Sequence, residues 1–198
     1  EHKRIIFNGN NYSDEWVAEA GKRGLSNLKN TVEALGGLVS QKSVDLFTGH
    51  HVFTLSELRS RYEILMEGYC KTIRIEALTM IDMVKGFIIP ACVDYQSDLS
   101  KLLKQKKAFG GYVCDMEEQL LGKISNLSSS LMKKLKLLED ELLQSKEEHD
   151  IASEAGFYRN RIFAAMSELR LIVDELETLT AKKYWPFPTY SDMLYSVI

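Results

Sequence analysis

Four histidines, three cysteines and several acid runs are the residues of this chain whose types could do chemistry. Their spacing does not support it. His2, His50, His51 and His149 have no second ligand three or four residues away on a helical face, so no metal site is spelled locally. His50-His51 follows Gly49 and belongs at a helix C-terminus, where the helix dipole favours histidine. Glu117-Glu118 and Glu139-Asp140-Glu141 fall on the polar faces of helices and read as solvated charge. Gly36-Gly37 and Gly110-Gly111 lie between helical segments. With no GxxxxGK[ST] loop and no GxGxxG after a strand, they read as helix punctuation rather than phosphate binders. Cys70, Cys92 and Cys114 are odd in number and far apart within helical patterns. Buried free thiols in a reducing cytoplasm suit them better than a disulfide framework. The residues therefore assign no catalytic, cofactor-binding or metal position.

Composition narrows the classes further. The 198 residues carry 25 Lys and Arg against 28 Asp and Glu, a formal net charge of −3. No basic tract is interleaved with aromatics, which argues against a nucleic-acid partner. The lysines at 101, 104, 106 and 107 decorate a helix end. No segment approaches the length of a membrane span and no signal peptide is evident, so neither a membrane partner nor export is expected.

The elements that position these residues are almost all helical. Arg4 to Phe7 is a short apolar run before the turn cluster Asn8 to Asn11 and reads as a single strand whose partner lies elsewhere. Ser13 caps a first helix ending by Gly24. A second helix is expected from about Ser26 to Leu35, stopping at Gly36-Gly37, and a third from Ser40 to Thr48. Thr54 and Glu57 form a capping box that opens a long helix running to about Lys106. Its apolar row is Leu58, Tyr62, Leu65, Tyr69, Ile73, Ala77, Met80, Val84, Phe87, Ala91, Tyr95, Leu99 and Leu102. Pro90 should kink it. Beyond Gly110-Gly111 a second long helix carries Val113, Met116, Leu120, Ile124, Leu127, Leu131, Leu135, Leu138 and Leu142, close to a heptad seam. A third, from Ile151 to Lys183, carries Ile151, Ala155, Tyr158, Ile162, Met166, Leu169, Val173, Leu176 and Thr180. Three long amphipathic helices with short breaks predict an all-α antiparallel bundle.

The two ends are compositionally odd. The chain finishes KYWPFPTYSDMLYSVI, where Pro186 and Pro188 sit among Tyr184, Trp185, Phe187, Tyr190 and Tyr195. Proline forbids continued helix, so an extended aromatic tail docked on the helical body is expected. The chain starts HKRIIFNGNNYSDEWVAEAGKRGLSNLKNTVEAL, from His2 to Leu35. Together with RYEILMEGYCKTIRIEALTMIDMV, Arg61 to Val84, these segments resemble the C-terminal region of type III glutamine synthetase. Arg23-Gly24-Leu25-Ser26-Asn27-Leu28 followed by Glu33-Ala34-Leu35 is similar to a stretch near the end of the catalytic domain in several classes of that enzyme. One departure is Asn8-Gly9-Asn10-Asn11-Tyr12, where a second glycine is expected near Asn11. Asparagine tolerates a left-handed turn better than most residues.

The resemblance implies a piece of a larger enzyme. Residues 1–88 would be the end of the catalytic domain region, with the short strand, the small helices and the first half of a long helix. Residues 89–198 would be the C-terminal helical bundle and docked tail. The parent would make glutamine from glutamate, ammonia and ATP with magnesium or manganese, in the cytoplasm, in a ring-shaped homo-oligomer. The partners of this region would be its own catalytic domain and neighbouring subunits. It carries over no ATP, metal or glutamate ligand, so the role implied is non-catalytic and accessory, and the chain alone is expected to be inactive. The pattern by itself leaves two other classes open. One is a free-standing helical-bundle or coiled-coil adaptor with its seam at Val113 to Leu142. The other is a histidine phosphotransfer bundle, which needs an exposed mid-helix histidine, whereas His149 lies in an expected link.

Overall fold

The computed structural model describes residues 6–147 and 150–195. Helices α1 (Asp14–Lys22), α2 (Thr31–Leu38), α3 (Gln41–Gly49), α4 (Leu55–Met83), α5 (Ile89–Phe109), α6 (Asp115–Gln144), α7 (Ile151–Phe157), α8 (Phe163–Leu179) and α9 (Tyr190–Tyr195) follow in order. No strand is present among the described residues. The chain forms two compact units, residues 1–66 and residues 67–198, with α4 contributing to both.

In the first unit, side-chain caps set the helix starts. Ser13 Oγ accepts from the Trp16 amide at 3.4 Å, Asn30 Oδ1 from Glu33 at 3.0 Å, and Ser40 Oγ from Ser43 at 3.4 Å. The Thr54–Glu57 box closes in both directions. The Glu57 amide donates to Thr54 Oγ1 at 3.2 Å, and the Thr54 amide to Glu57 Oε2 at 2.8 Å. The strand expected at Arg4 to Phe7 is corrected. Ile6 and Phe7 have no regular structure, and Arg4 and Ile5 lie outside the described residues. Side chains hold this segment instead of a ladder. Arg23 Nη1 donates to the Ile6 carbonyl at 3.2 Å, and the Phe7 ring lies 4.6 Å from Trp16. The second helix starts at Thr31 rather than Ser26, because Asn30 has a glutamate at the third helical position and Ser26 does not. Gly36 and Gly37 lie inside α2. The Gly37 carbonyl then accepts from the hydroxyls of Ser40 at 2.8 Å and Ser43 at 2.7 Å, joining the end of α2 to the start of α3.

The second unit is the bundle. Side-chain pairs give the register of α5 on α6. Lys106 meets Glu117, Gln96 meets Ser128 at 3.4 Å, and Lys85, just before α5, meets Glu139. One partner climbs as the other falls, so the helices are antiparallel about the Gly110-Gly111 turn. Both glycines have positive φ, 71° and 77°, a backbone region costly for any residue with a Cβ. α6 and α8 are antiparallel by the same test, through Lys123–Glu175 at 2.8 Å and Lys134–Glu168 at 2.6 Å. The core between them holds Ile124, Leu131, Leu135 and Leu138 of α6 with Ile162, Leu169 and Leu176 of the last long helix, all almost fully buried. At about 25 cal/mol per Å² of apolar surface, this seam is the main source of stability.

Two long helices each contain one π-helical segment, Val84–Ile88 and Tyr158–Ile162. The first explains how Pro90 is accommodated. In α register the Pro90 ring would press on the Gly86 carbonyl. Here the Ile89 amide bonds the Val84 carbonyl, five residues back, and the widened turn accepts the ring. The wider turn also shifts the buried face by one residue. Ile88 is buried while Phe87, in the expected row, is 54% exposed.

Candidate functional site

The chemistry-bearing surface with the most organised geometry is the dock of the C-terminal segment on α5. The Tyr184 ring lies 5.1 Å from Tyr95, and its hydroxyl donates to the Asp98 carboxylate. That hydrogen bond, reinforced by Lys101, holds the Asp98 carboxyl below the usual carboxylate range. Phe187 meets Phe87 edge-on at 5.8 Å, and Trp185 is buried beside it, 6.5 Å between rings. Pro186 and Pro188 keep Trp185–Thr189 free of helix. The tail is not extended to its end, however. Thr189 and Asp192 form a second capping box, and α9 follows. The Thr189 amide donates to Asp192 Oδ2 at 2.9 Å, and the Asp192 amide to Thr189 Oγ1 at 3.3 Å. Lys182 pairs with the same carboxylate, and with the Thr189 donors it lowers the Asp192 pKa to about 2.

Two of the acids expected to be solvated are buried. Glu117 is 1% exposed and Glu141 is 7% exposed. Lys106 holds Glu117, lowering its pKa, and Arg161 Nη2 holds Glu141 at 2.8 Å. The Oε2 atom of each is buried without a hydrogen-bond partner. The helical wheel cannot foresee this, because the seam passes beside both residues and only the antiparallel register brings a cation opposite each. A turn centred on Gly111-Tyr112 places residue 106 across from 117, so that much was readable from the chain. Glu118, Glu139 and Asp140 are paired with Lys107, Lys85 and Lys136 at partly exposed positions.

The cysteines Cys70, Cys92 and Cys114 are buried free thiols. Burial, with the Glu154 charge second, pushes the Cys70 thiol up to about 11, and burial likewise raises Cys92. Such thiols are not poised nucleophiles. His50 is the C-cap of α3, and His51 follows with φ 55°. His2 and His149 lie outside the described residues. An apolar groove of about 550 Å³ runs between α4 and α8, lined by Met80, Met83, Ile88, Met166 and Val173. Among the described residues no helix is long and apolar enough to cross a membrane.

An all-helical bundle with a docked aromatic tail defines a structural class but no chemistry. Comparison with known proteins defines the family. The glutamine synthetase C-terminal domain family matches residues 1–107, and the chain belongs to that family. Along 99% of its length it is 42% identical to a glutamine synthetase of Butyrivibrio fibrisolvens. Along 98% it is 32% identical to a type-3 glutamine synthetase of Dictyostelium discoideum. A glutamine synthetase of Bacteroides fragilis strain YCH46 is 26% identical over 97% of the chain. The chain spans 28%, 27% and 27% of the lengths of these relatives.

Enzymes of this name use a nucleotide and divalent metal, which need converging oxygen and nitrogen donors. Among the described residues, no three His, Cys, Asp or Glu side chains gather closely enough to hold a metal ion. The buried carboxylates Glu117 and Glu141 sit apart, each engaged by a cation of the bundle.

Proposed function

We propose that this chain is the non-catalytic, C-terminal accessory region of a type III glutamine synthetase. The observation that carries the proposal is the similarity along nearly the whole chain to glutamine synthetases more than three times its length. The parent enzyme makes glutamine from glutamate, ammonia and ATP, with magnesium or manganese, in the cytoplasm. The ligands for those groups lie in the part of the relatives that this chain does not span. The bundle's role is architectural. It completes the subunit against its own catalytic domain and contributes contacts in a ring-shaped homo-oligomer. The supporting features are the charge-paired, fully packed seam of α6 and α8 and a dock that ties the last residues back onto α5.

The test is glutamine formation from glutamate, ammonia, ATP and magnesium. The 198-residue chain should give a rate equal to the blank, while the polypeptide carrying it together with the upstream enzyme should turn over. Turnover by the chain alone would overturn the accessory reading. An inactive longer polypeptide would overturn the parent assignment.

A further inference from the structure

The apolar groove between α4 and α8 adjoins the dock of the C-terminal segment. Phe187 packs edge-on against Phe87, and Phe87 stands in the chain between Met83 and Ile88, which line the groove. The dock fills one stretch of this face, and the groove of about 550 Å³ beside it is open. Its floor is Met80, Val84, Met166 and Val173, all buried or half-buried. At the lips Arg170 and Asp174 pair with each other at 3.4 Å, and Ile75 is 64% exposed. The floor carries no polar group that would orient a small ligand. Its methionines adapt to the shape of an apolar side-chain cluster.

α9 carries such a cluster. Met193, Leu194 and Tyr195 are 59%, 74% and 81% exposed. At 3.6 residues per turn the three cover an arc of about 200°. Packing on one neighbouring helix uses a stripe about 100° wide, whereas a groove with two walls encloses the whole arc. From Ile75 to Ile88 the groove is about 20 Å long, and the six residues of α9 make about 9 Å, so the helix fits. Insertion brings in no stray charge, because Lys182 already holds Asp192, the one acid of α9. That pair and the Thr189 box tie α9 past the end of α8, which leaves the groove of the same copy uncovered. Helix and groove adjoin one dock, so two copies facing each other about a two-fold axis seat both at once. We infer that the groove takes α9 of a second copy, each copy donating one helix and receiving one. The inference does not rest on the parent enzyme proposed above, and its test reads association rather than turnover.

The test is sedimentation equilibrium of the whole chain from about 10 μM to 1 mM, where a monomer–dimer equilibrium with a Kd of about 100 μM or tighter is expected. Leu194→Glu and Ile75→Glu should each raise the Kd about tenfold or more, since each puts a charge into an apolar contact. Both side chains are exposed in the single copy, so circular dichroism should show the fold intact. Leu171→Glu, on α8 and 70% exposed but outside the groove, should change nothing. A mixture of the Leu194→Glu and Ile75→Glu chains should associate more tightly than either alone, because it restores one intact junction of helix and groove. A chain that stays monomeric at about 1 mM would overturn the proposal. So would a dimer indifferent to Leu194→Glu, which would be built on another face. A mixture no tighter than its components would overturn it too, by showing that helix and groove are not exchanged.

Discussion

Glu117 and Glu141 show how far a single residue's meaning depends on its partner. In the sequence they stand in acid runs indistinguishable from surface charge. In the fold each is enclosed, and a basic residue from another helix makes that tolerable. Removing one member of such a pair strands a buried charge, whereas removing both leaves an apolar contact. Lys106→Met should therefore lower the thermal midpoint, and Lys106→Met with Glu117→Leu should regain most of the loss. A double variant no better than the single one would mean that the pair is not buried. Asp192 gives a pH prediction at the same scale. Its pKa is depressed to about 2 in the fold, from an ordinary value of about 3.9. A depressed carboxylate contributes stability that is fully present above the unfolded value and is lost as pH falls through the folded one. The capping of α9 should thus hold at pH 5 and weaken between about pH 4 and pH 2. Asp192→Asn should remove that dependence, followed by amide exchange at Thr189 and Asp192.

The elements were legible where local rules decide them. Ser13, Ser40 and the Thr54–Glu57 box mark true helix starts. Ile124, Leu131, Leu135, Leu138 and Leu142 of the second row and Ala155, Tyr158, Ile162, Met166, Leu169 and Leu176 of the third are buried as their spacing requires, whereas Val113 and Met116, at the start of the second row, are exposed. Leu131→Ala and Leu169→Ala should each cost about 2–5 kcal/mol in chemical denaturation, while Lys133→Ala should cost little. Equal, small effects from all three would show the seam to be elsewhere. The row of the first long helix fails at two places. Leu65 is 49% exposed while its neighbour Met66 is buried, and at the π segment Ile88 is buried in place of Phe87; Ile73, Ala77, Val84, Ala91 and Leu99 of the expected row are buried. π turns leave no compositional mark, although Pro90 signals that some adjustment is needed. The isolated strand failed for a different reason. An apolar run before a turn has the composition of a strand, but Arg23 and Trp16 give Ile6 and Phe7 another way to be held. The start of α9 is marked in the sequence by Thr189-x-x-Asp192, the same reciprocal capping arrangement as Thr54-x-x-Glu57, although the prolines before it predict an extended tail.

At the scale of the whole molecule, the sequence supplied the fold class and the family, but not the surface chemistry, because clefts form between elements far apart in the chain. The aromatic dock is the feature that closes the bundle. With Trp16 replaced by Phe, Trp185 should emit to the blue of free tryptophan and resist acrylamide quenching. Tyr184→Phe, which removes the hydroxyl from Asp98, should shift it toward the red. An unquenched, blue Trp185 in the Tyr184→Phe variant would show that ring packing alone holds the tail. The dock also has a consequence for synthesis on the ribosome. Asp98 and Tyr184 are 86 residues apart, so at 5–20 residues per second the α5 face waits roughly 4 to 17 s for its cover. During that interval Phe87 and Tyr95 are available to chaperones, and a chain truncated before Tyr184 would keep presenting them to the cell's quality control.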